Sequence, residues 1–180
     1  MPRIYLSPST QEYNQFVTGN SEEYYANLIA DAMIPYLNAS NIGFTRNDPG
    51  GTVGTSVSNS NAGNYDFHLA IHSNAAPERL SGTIKGPDVY YYSTSANSKR
   101  AAEIFANNLK TIYPNPSLVT VVPTTTLYEL KNTRIPAVLV EVAYHDNVDD
   151  ANWIINNIES IARNLALSTA DYLGVPFVEP

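Results

Sequence analysis

The chain has 180 residues, 43 % of them apolar, a formal net charge of −7 and no cysteine. That length and apolar share fit one globular domain with a substantial core and do not fit a disordered chain. The acidic balance, with only ten scattered Lys and Arg, excludes a phosphate-neutralising face for nucleic acid, and the missing cysteines exclude disulfides, thiolate nucleophiles and Cys-type zinc sites.

The first apolar run, RIYLS (3–7), predicts a strand that stops at Pro8. A polar loop follows to residue 20. Ser21 before Glu22 and Glu23 marks a helix start, a hydroxyl cap followed by acids at the positive end of the helix dipole. Tyr25, Leu28, Ile29, Ala32, Met33, Tyr36 and Leu37 recur at helical spacing, with Pro35 expected to kink the end. IGFT (42–45) predicts a second strand. Residues 47–64, rich in Gly, Ser and Asn, read as a long loop with one helical turn around Val57. FHLAIH (67–72) and DVYYY (88–92) read as strands, 95–112 as a helix and LVTVV (118–122) as a short strand before Pro123. AVLVEVA (137–143) is the nearly continuous apolar run of a strand buried on both faces. One long helix is expected from about 147 to 173, ended by Gly174 and Pro176.

This alternation predicts an α/β fold: a single domain over residues 1–175, with a mostly parallel twisted sheet flanked by helices on both faces. Residues 176–180 read as the start of a C-terminal linker or tail. No run approaches the roughly 18 apolar residues of a membrane span, so no membrane insertion is expected. The N-terminus lacks the apolar core of a signal peptide. The chain is therefore expected either to start in the cytoplasm or to be a domain excised from a longer protein.

In such sheets chemistry lies beyond the carboxyl ends of the strands, which selects the residues after Ser7, after Thr45, at His72 and after Glu141. Alone, His72 reads as a capping histidine and Glu22 as a dipole-favoured surface acid. Glu141 is different, because an ionised carboxylate in an apolar strand is costly without a cationic partner. One His and two Glu near one sheet edge suggest a hydrolytic metal site, with one Glu as ligand and the other as general base.

The chain resembles the zinc-dependent N-acetylmuramoyl-L-alanine amidases of bacterial cell-wall turnover, spores and phage endolysins. FHLAIHSNA is similar to the family strand ending Ile-His-Ala-Asn-Ala, whose His ligates zinc. IPAVLVEVAYHDN is similar to Pro-Ala-Val-Leu-Val-Glu-Val-Gly-Phe and the Asn beyond it, where the Glu is catalytic. LYELKNT (127–133) stands in place of a Leu-x-Val-Leu stretch, and FTR (44–46) in place of Leu-Thr-Arg. The resemblance implies zinc ligation by His72 and Glu22, with Glu22 preferred over Glu23 because Ile29-Ala30 falls at the family spacing. It implies a catalytic role for Glu141. The chain departs at the first ligand, where the family has Asp-Pro-Gly-His and this sequence has Ser7-Pro8-Ser9-Thr10. His145, four residues past Glu141, is the expected replacement, against Gln11 through its amide oxygen or a water. Its plainer role is to bond backbone at a helix entry. His68 is the weaker candidate, about 13 Å down an extended strand from His72.

The resemblance thus implies a zinc amidase that cleaves the bond between N-acetylmuramic acid and L-alanine in peptidoglycan. It would act at the bacterial cell wall as a monomer, either as an endolysin domain released at lysis or as an autolysin domain attached to a C-terminal wall-binding domain. Two alternatives stand beside it: a wall-binding domain on the same fold with weak or lost catalysis, and a metal hydrolase of another amide.

Overall fold

A computed structural model describes all 180 residues. The strands are β1 (Arg3–Pro8), β2 (Gly43–Arg46), β3 (Phe67–Asn74), β4 (Asp88–Tyr92), β5 (Thr120–Thr124) and β6 (Ala137–Tyr144). The helices are α1 (Glu22–Ala39), α2 (Val53–Ala62), α3 (Ala96–Leu109), α4 (Tyr128–Asn132), α5 (Val148–Asn156) and α6 (Ile158–Leu173). The strands form one six-stranded sheet in the order β2-β1-β3-β6-β4-β5. All neighbours are parallel except β4 and β6, so β4 and β5 run against the other four. The carboxyl ends of β1, β2, β3 and β6 therefore share one edge of the sheet, and β4 begins there.

Strand side chains alternate between faces, and the two faces differ in chemistry. Ile4 and Leu6, Phe67, Leu69 and Ile71, and Val138, Val140 and Val142 join a single large core with the inward faces of α1, α3, α5 and α6. Phe67 packs on Phe105 and Tyr172 with ring centroids 5.8 and 4.6 Å away. Burying each such side chain stabilises the fold by roughly 1.5–3 kcal/mol. On the opposite face Ala70, Ala137 and Leu139 meet Leu130 of α4 in a small apolar cluster. That face also carries Tyr5, Ser7, His68, His72 and Glu141 by the same alternation. The sequence reads as a helix-flanked parallel sheet because one face is uniformly apolar; the polar line on the other face is where the site lies.

Three expectations are corrected. The segment 47–64 is not a loop with one turn but contains the ten-residue helix α2. It lacks an apolar stripe because its buried side is made of Ser56, Val57 and Ser60. It starts instead on a capping box between Thr52 and Thr55. The long C-terminal helix is two helices, broken at Asn157 (φ −130°, ψ 23°). The Asn157 side chain donates to the Trp153 carbonyl at 2.7 Å, which competes with the helical ladder, while the apolar spacing runs on through Ile154, Ile158 and Ile161. The third is α4, which was not foreseen. Pro35 lies inside α1, which continues to Ala39, and Pro123 sits in β5, an edge strand paired only with β4. Residues 175–180 form no helix or strand but lie back on the domain: Phe177 stacks on Tyr36 with centroids 5.9 Å apart, and the Val178 amide donates to Ser40 Oγ at 2.9 Å.

Candidate active site

Glu22 is the first residue of α1, after the Ser21 cap whose hydroxyl accepts from the Tyr24 amide. The loop between β1 and α1 clamps it. The Glu22 amide donates to the Asn14 carbonyl at 2.8 Å, and Asn14 Nδ2 donates both to Glu22 Oε2 (2.8 Å) and to Gln11 Oε1 (2.6 Å). The residue is 2 % exposed. Glu23, one position on, is spent on Asn27 in its own helix.

His72, near the end of β3, lies with Nδ1 2.8 Å from Glu22 Oε1. The two form a buried ion pair, and Oε1 has no other partner. Burial pushes the Glu22 carboxyl up, but His72, Asn14 and Ser9 outweigh it and hold the carboxyl below its ordinary value. Burial likewise opposes charge on His72, yet Glu129 and Glu22 on its two sides hold its pKa well above the ordinary imidazole value.

Glu141 of β6 is the register neighbour of His72 on β3 and of Asp88 at the start of β4. Its Oε2 is buried and has no partner. Desolvation, offset in part by His72 and reinforced by the acids Glu22, Asp88 and Glu129, lifts its pKa to about 8. Asp88 itself accepts from the Tyr144 hydroxyl at 3.1 Å.

Glu129, from α4, was missed by sequence reasoning. It is 4 % exposed and joins the two histidines of β3. Its Oε2 lies 3.3 Å from His72 Nε2 and its Oε1 2.9 Å from His68 Nε2. Ser7 Oγ also donates to Oε1, at 2.6 Å, and His68 Nδ1 is 2.9 Å from Ser60 Oγ of α2. Burial raises the Glu129 carboxyl, but the two histidines reverse this and hold it far below its ordinary value. The available signal was an acid inside LYEL, at a position where the resembling stretch carries Val.

The structure brings Glu22, His72 and Glu141 to one edge. His145 makes other contacts: its Nδ1 is 2.8 Å from Ser73 Oγ and its ring stacks on Phe16. Burial lowers its pKa, against the pull of Glu22 and Asp146. Thr10 and Gln11 line a pocket of about 330 Å³ that opens beside His72 and Glu129 and is otherwise walled largely by Ser9, Tyr13 and Asn47. Glu22 Oε1 and His72 Nδ1, 2.8 Å apart in an ion pair, are two donors of the type zinc takes. No set of three or more His, Cys, Asp and Glu side chains is arranged to hold a metal ion.

The N-acetylmuramoyl-L-alanine amidase family model matches residues 9–170. The chain belongs to this amidase family. It is 33 % identical over 131 residues to the N-acetylmuramoyl-L-alanine amidase LytC of Bacillus subtilis strain 168, a match that takes in 69 % of this chain and 23 % of that protein. It thus spans about a quarter of that relative's length. The fold is shared with the amidase AmiC2 of Nostoc punctiforme (TM-score 0.83, 17 % identity, 96 % of this chain and 97 % of that one). It is also shared with the catalytic domain of the amidase CwlV from Bacillus (Paenibacillus) polymyxa (TM-score 0.84, 17 % identity, 98 % and 100 %). Within this amidase fold, the buried Glu129 joins His68 to His72, the histidine that the resemblance makes a metal ligand.

Proposed function

We propose that this chain hydrolyses the amide between the lactyl group of N-acetylmuramic acid and L-alanine in bacterial peptidoglycan, with zinc held by Glu22 and His72. The observation that carries the reading is the meeting of three groups: Glu22 Oε1 paired with His72 Nδ1, and Glu141, with a buried oxygen that has no partner, on the next strand. Family membership supports the substrate class, and the polar pocket beside His72 has the size of a small-ligand site.

Zinc, when bound, supplies a Lewis acid that polarises the scissile carbonyl and acidifies a water. Glu141 takes a proton from the attacking water as its oxygen bonds to the lactyl carbonyl carbon, and delivers a proton to the nitrogen of L-alanine as the C–N bond breaks. A neighbouring cation lowers the pKa of a carboxyl, which brings Glu141 from about 8 into the range of a working base. For a third protein ligand, two side chains have support. Gln11 lines the pocket and is one side chain, Asn14, away from Glu22. His145 offers the nitrogen that zinc prefers. We place the site of action at the bacterial cell wall.

A second reading, a wall-binding domain with weak or lost catalysis, is favoured by the missing third His or carboxylate. The discriminating experiment measures zinc content and peptidoglycan hydrolysis on the parent and on Glu141→Gln. The amidase reading expects about one zinc in both proteins and a loss of activity of roughly 10²–10⁴-fold in the variant. Unchanged hydrolysis by the variant ends the assignment of Glu141, and a parent that binds peptidoglycan without cleaving it establishes the second reading.

A further inference from the structure

We infer that Glu129 is a positioning residue that fixes the orientation and tautomer of His72, and that Ser7, His68 and Ser60 form the buried brace that holds Glu129 in place. The inference rests on the reading of His72 and Glu22 as metal ligands and goes beyond it by assigning how one of them is aimed.

The argument begins with hydrogen-bond capacity. An ionised carboxylate only accepts, so both nitrogens that face Glu129 must donate. Nε2 of His72 therefore carries a proton toward Oε2 at 3.3 Å, and Nε2 of His68 carries one toward Oε1 at 2.9 Å. When a metal takes the place of the Nδ1 proton, Nε2 keeps its proton toward Glu129 and the lone pair is on Nδ1, the atom 2.8 Å from Glu22 Oε1. Two acceptors so placed hold a proton or a metal cation between them, and a ring held the other way round could not offer Nδ1. A carboxylate behind a ligating imidazole does two things: it fixes the ring, and it makes the far nitrogen a stronger donor to the metal.

The brace explains why Glu129 can do this from a short helix. Oε1 takes two hydrogen bonds, from Ser7 on β1 and from His68 on β3, which leaves Oε2 for His72. His68 is pinned in turn by Ser60 of α2 at its other nitrogen and by the ring of Tyr5, stacked with centroids 5.4 Å apart. With Nε2 donating, Nδ1 of His68 is the acceptor and the Ser60 hydroxyl the donor. Two strands of the sheet face, β1 and β3, thus converge on one carboxylate. His68 is fully buried, and Glu129 spans the distance along the strand between it and His72.

The test uses the full 180-residue chain, parent and Glu129→Gln, with zinc affinity measured by chelator competition and His72 observed by ¹⁵N NMR with and without zinc. The expected result is zinc binding weakened by about 10–100-fold, together with loss of the Nε2–H signature of His72. Glu129→Asp, which keeps the charge but withdraws it from the ring, is expected to fall in the same range and replaces Glu129→Gln if that variant does not fold. Unchanged affinity with an unchanged His72 spectrum overturns the inference. Complete loss of zinc, beyond the weakening above, also overturns it by making Glu129 a ligand. A parent that binds no zinc refutes the reading of the metal site, and in that case an Nε2–H signature equal in parent and variant still overturns the positioning role.

Discussion

Replacing Glu141 by Gln in the zinc-free protein should stabilise it, and only above a defined pH. The folded carboxyl is lifted from 4.5 to about 8, so the native state binds its proton more tightly than the unfolded chain does. Stability contributed by that proton is complete below the unfolded value and is lost as pH rises through the folded one. The displacement corresponds to a ceiling of roughly 5 kcal/mol. Oε2 is buried and the rest of the residue keeps some contact with water, so the expected effect lies below that ceiling, at about 2–3 kcal/mol. Gln keeps the shape without the charge. Urea unfolding of parent and variant, both stripped of metal by chelator, should give nearly equal stabilities near pH ~4 and a gain for the variant that grows to its full size by pH ~9. Groups that do not interact with Glu141 cancel in the difference, while His72, Glu22, Asp88 and Glu129, which do, broaden the transition without reversing its direction. A gain of the same size at every pH, or a loss at high pH, would refute the account of Glu141 as a desolvated, unpartnered acid.

Two further outcomes are expected. Zinc affinity should rise with pH, by up to about tenfold per pH unit, because the metal must displace a proton from a His72 whose pKa is held well above ordinary; calorimetry in buffers of different ionisation enthalpy reads the released proton, and affinity independent of pH across the neutral range would count against His72 as a ligand. Gly86→Ala should lower stability by at least about 1 kcal/mol in urea unfolding, since Gly86 has φ +107° and an added Cβ would fall 2.6 Å from the Leu118 carbonyl oxygen. Parental stability in that variant would show that the turn into β4 adjusts freely.

The strands were legible because a buried strand leaves little choice of residue. Phe67, Leu69 and Ile71, or Val138, Val140 and Val142, belong to one core whatever the neighbours are. The helices were legible where an apolar stripe marks the inward side, as in α1. α2 has no such stripe: its buried side is Ser56, Val57 and Ser60, with one apolar residue among them. The break at Asn157 was hidden because the spacing of Ile154, Ile158 and Ile161 continues across it. In the site, Glu141 stood out by the cost of its charge among Val residues. Glu129 did not, since its partners lie 57, 61 and 122 positions away, and nothing local to LYEL says that the acid points inward. Only the topology that packs α4 under β3 makes it part of the site.

The strand order carries a consequence for how the molecule comes into being. β6 is the last strand made, yet it pairs between β3 and β4 in the middle of the sheet. As the chain leaves the ribosome, β1, β2 and β3 can associate early, and β4 with β5, but the two parts have open edges toward each other until residues 137–144 arrive. That interval is the one most exposed to misassembly, because open strand edges recruit foreign partners. The strand that closes the gap also brings Glu141. Under the proposed function the carboxylate assigned to proton transfer arrives only with the strand that completes the sheet, so a chain truncated before β6 is expected to be unfinished as a sheet and without hydrolysis.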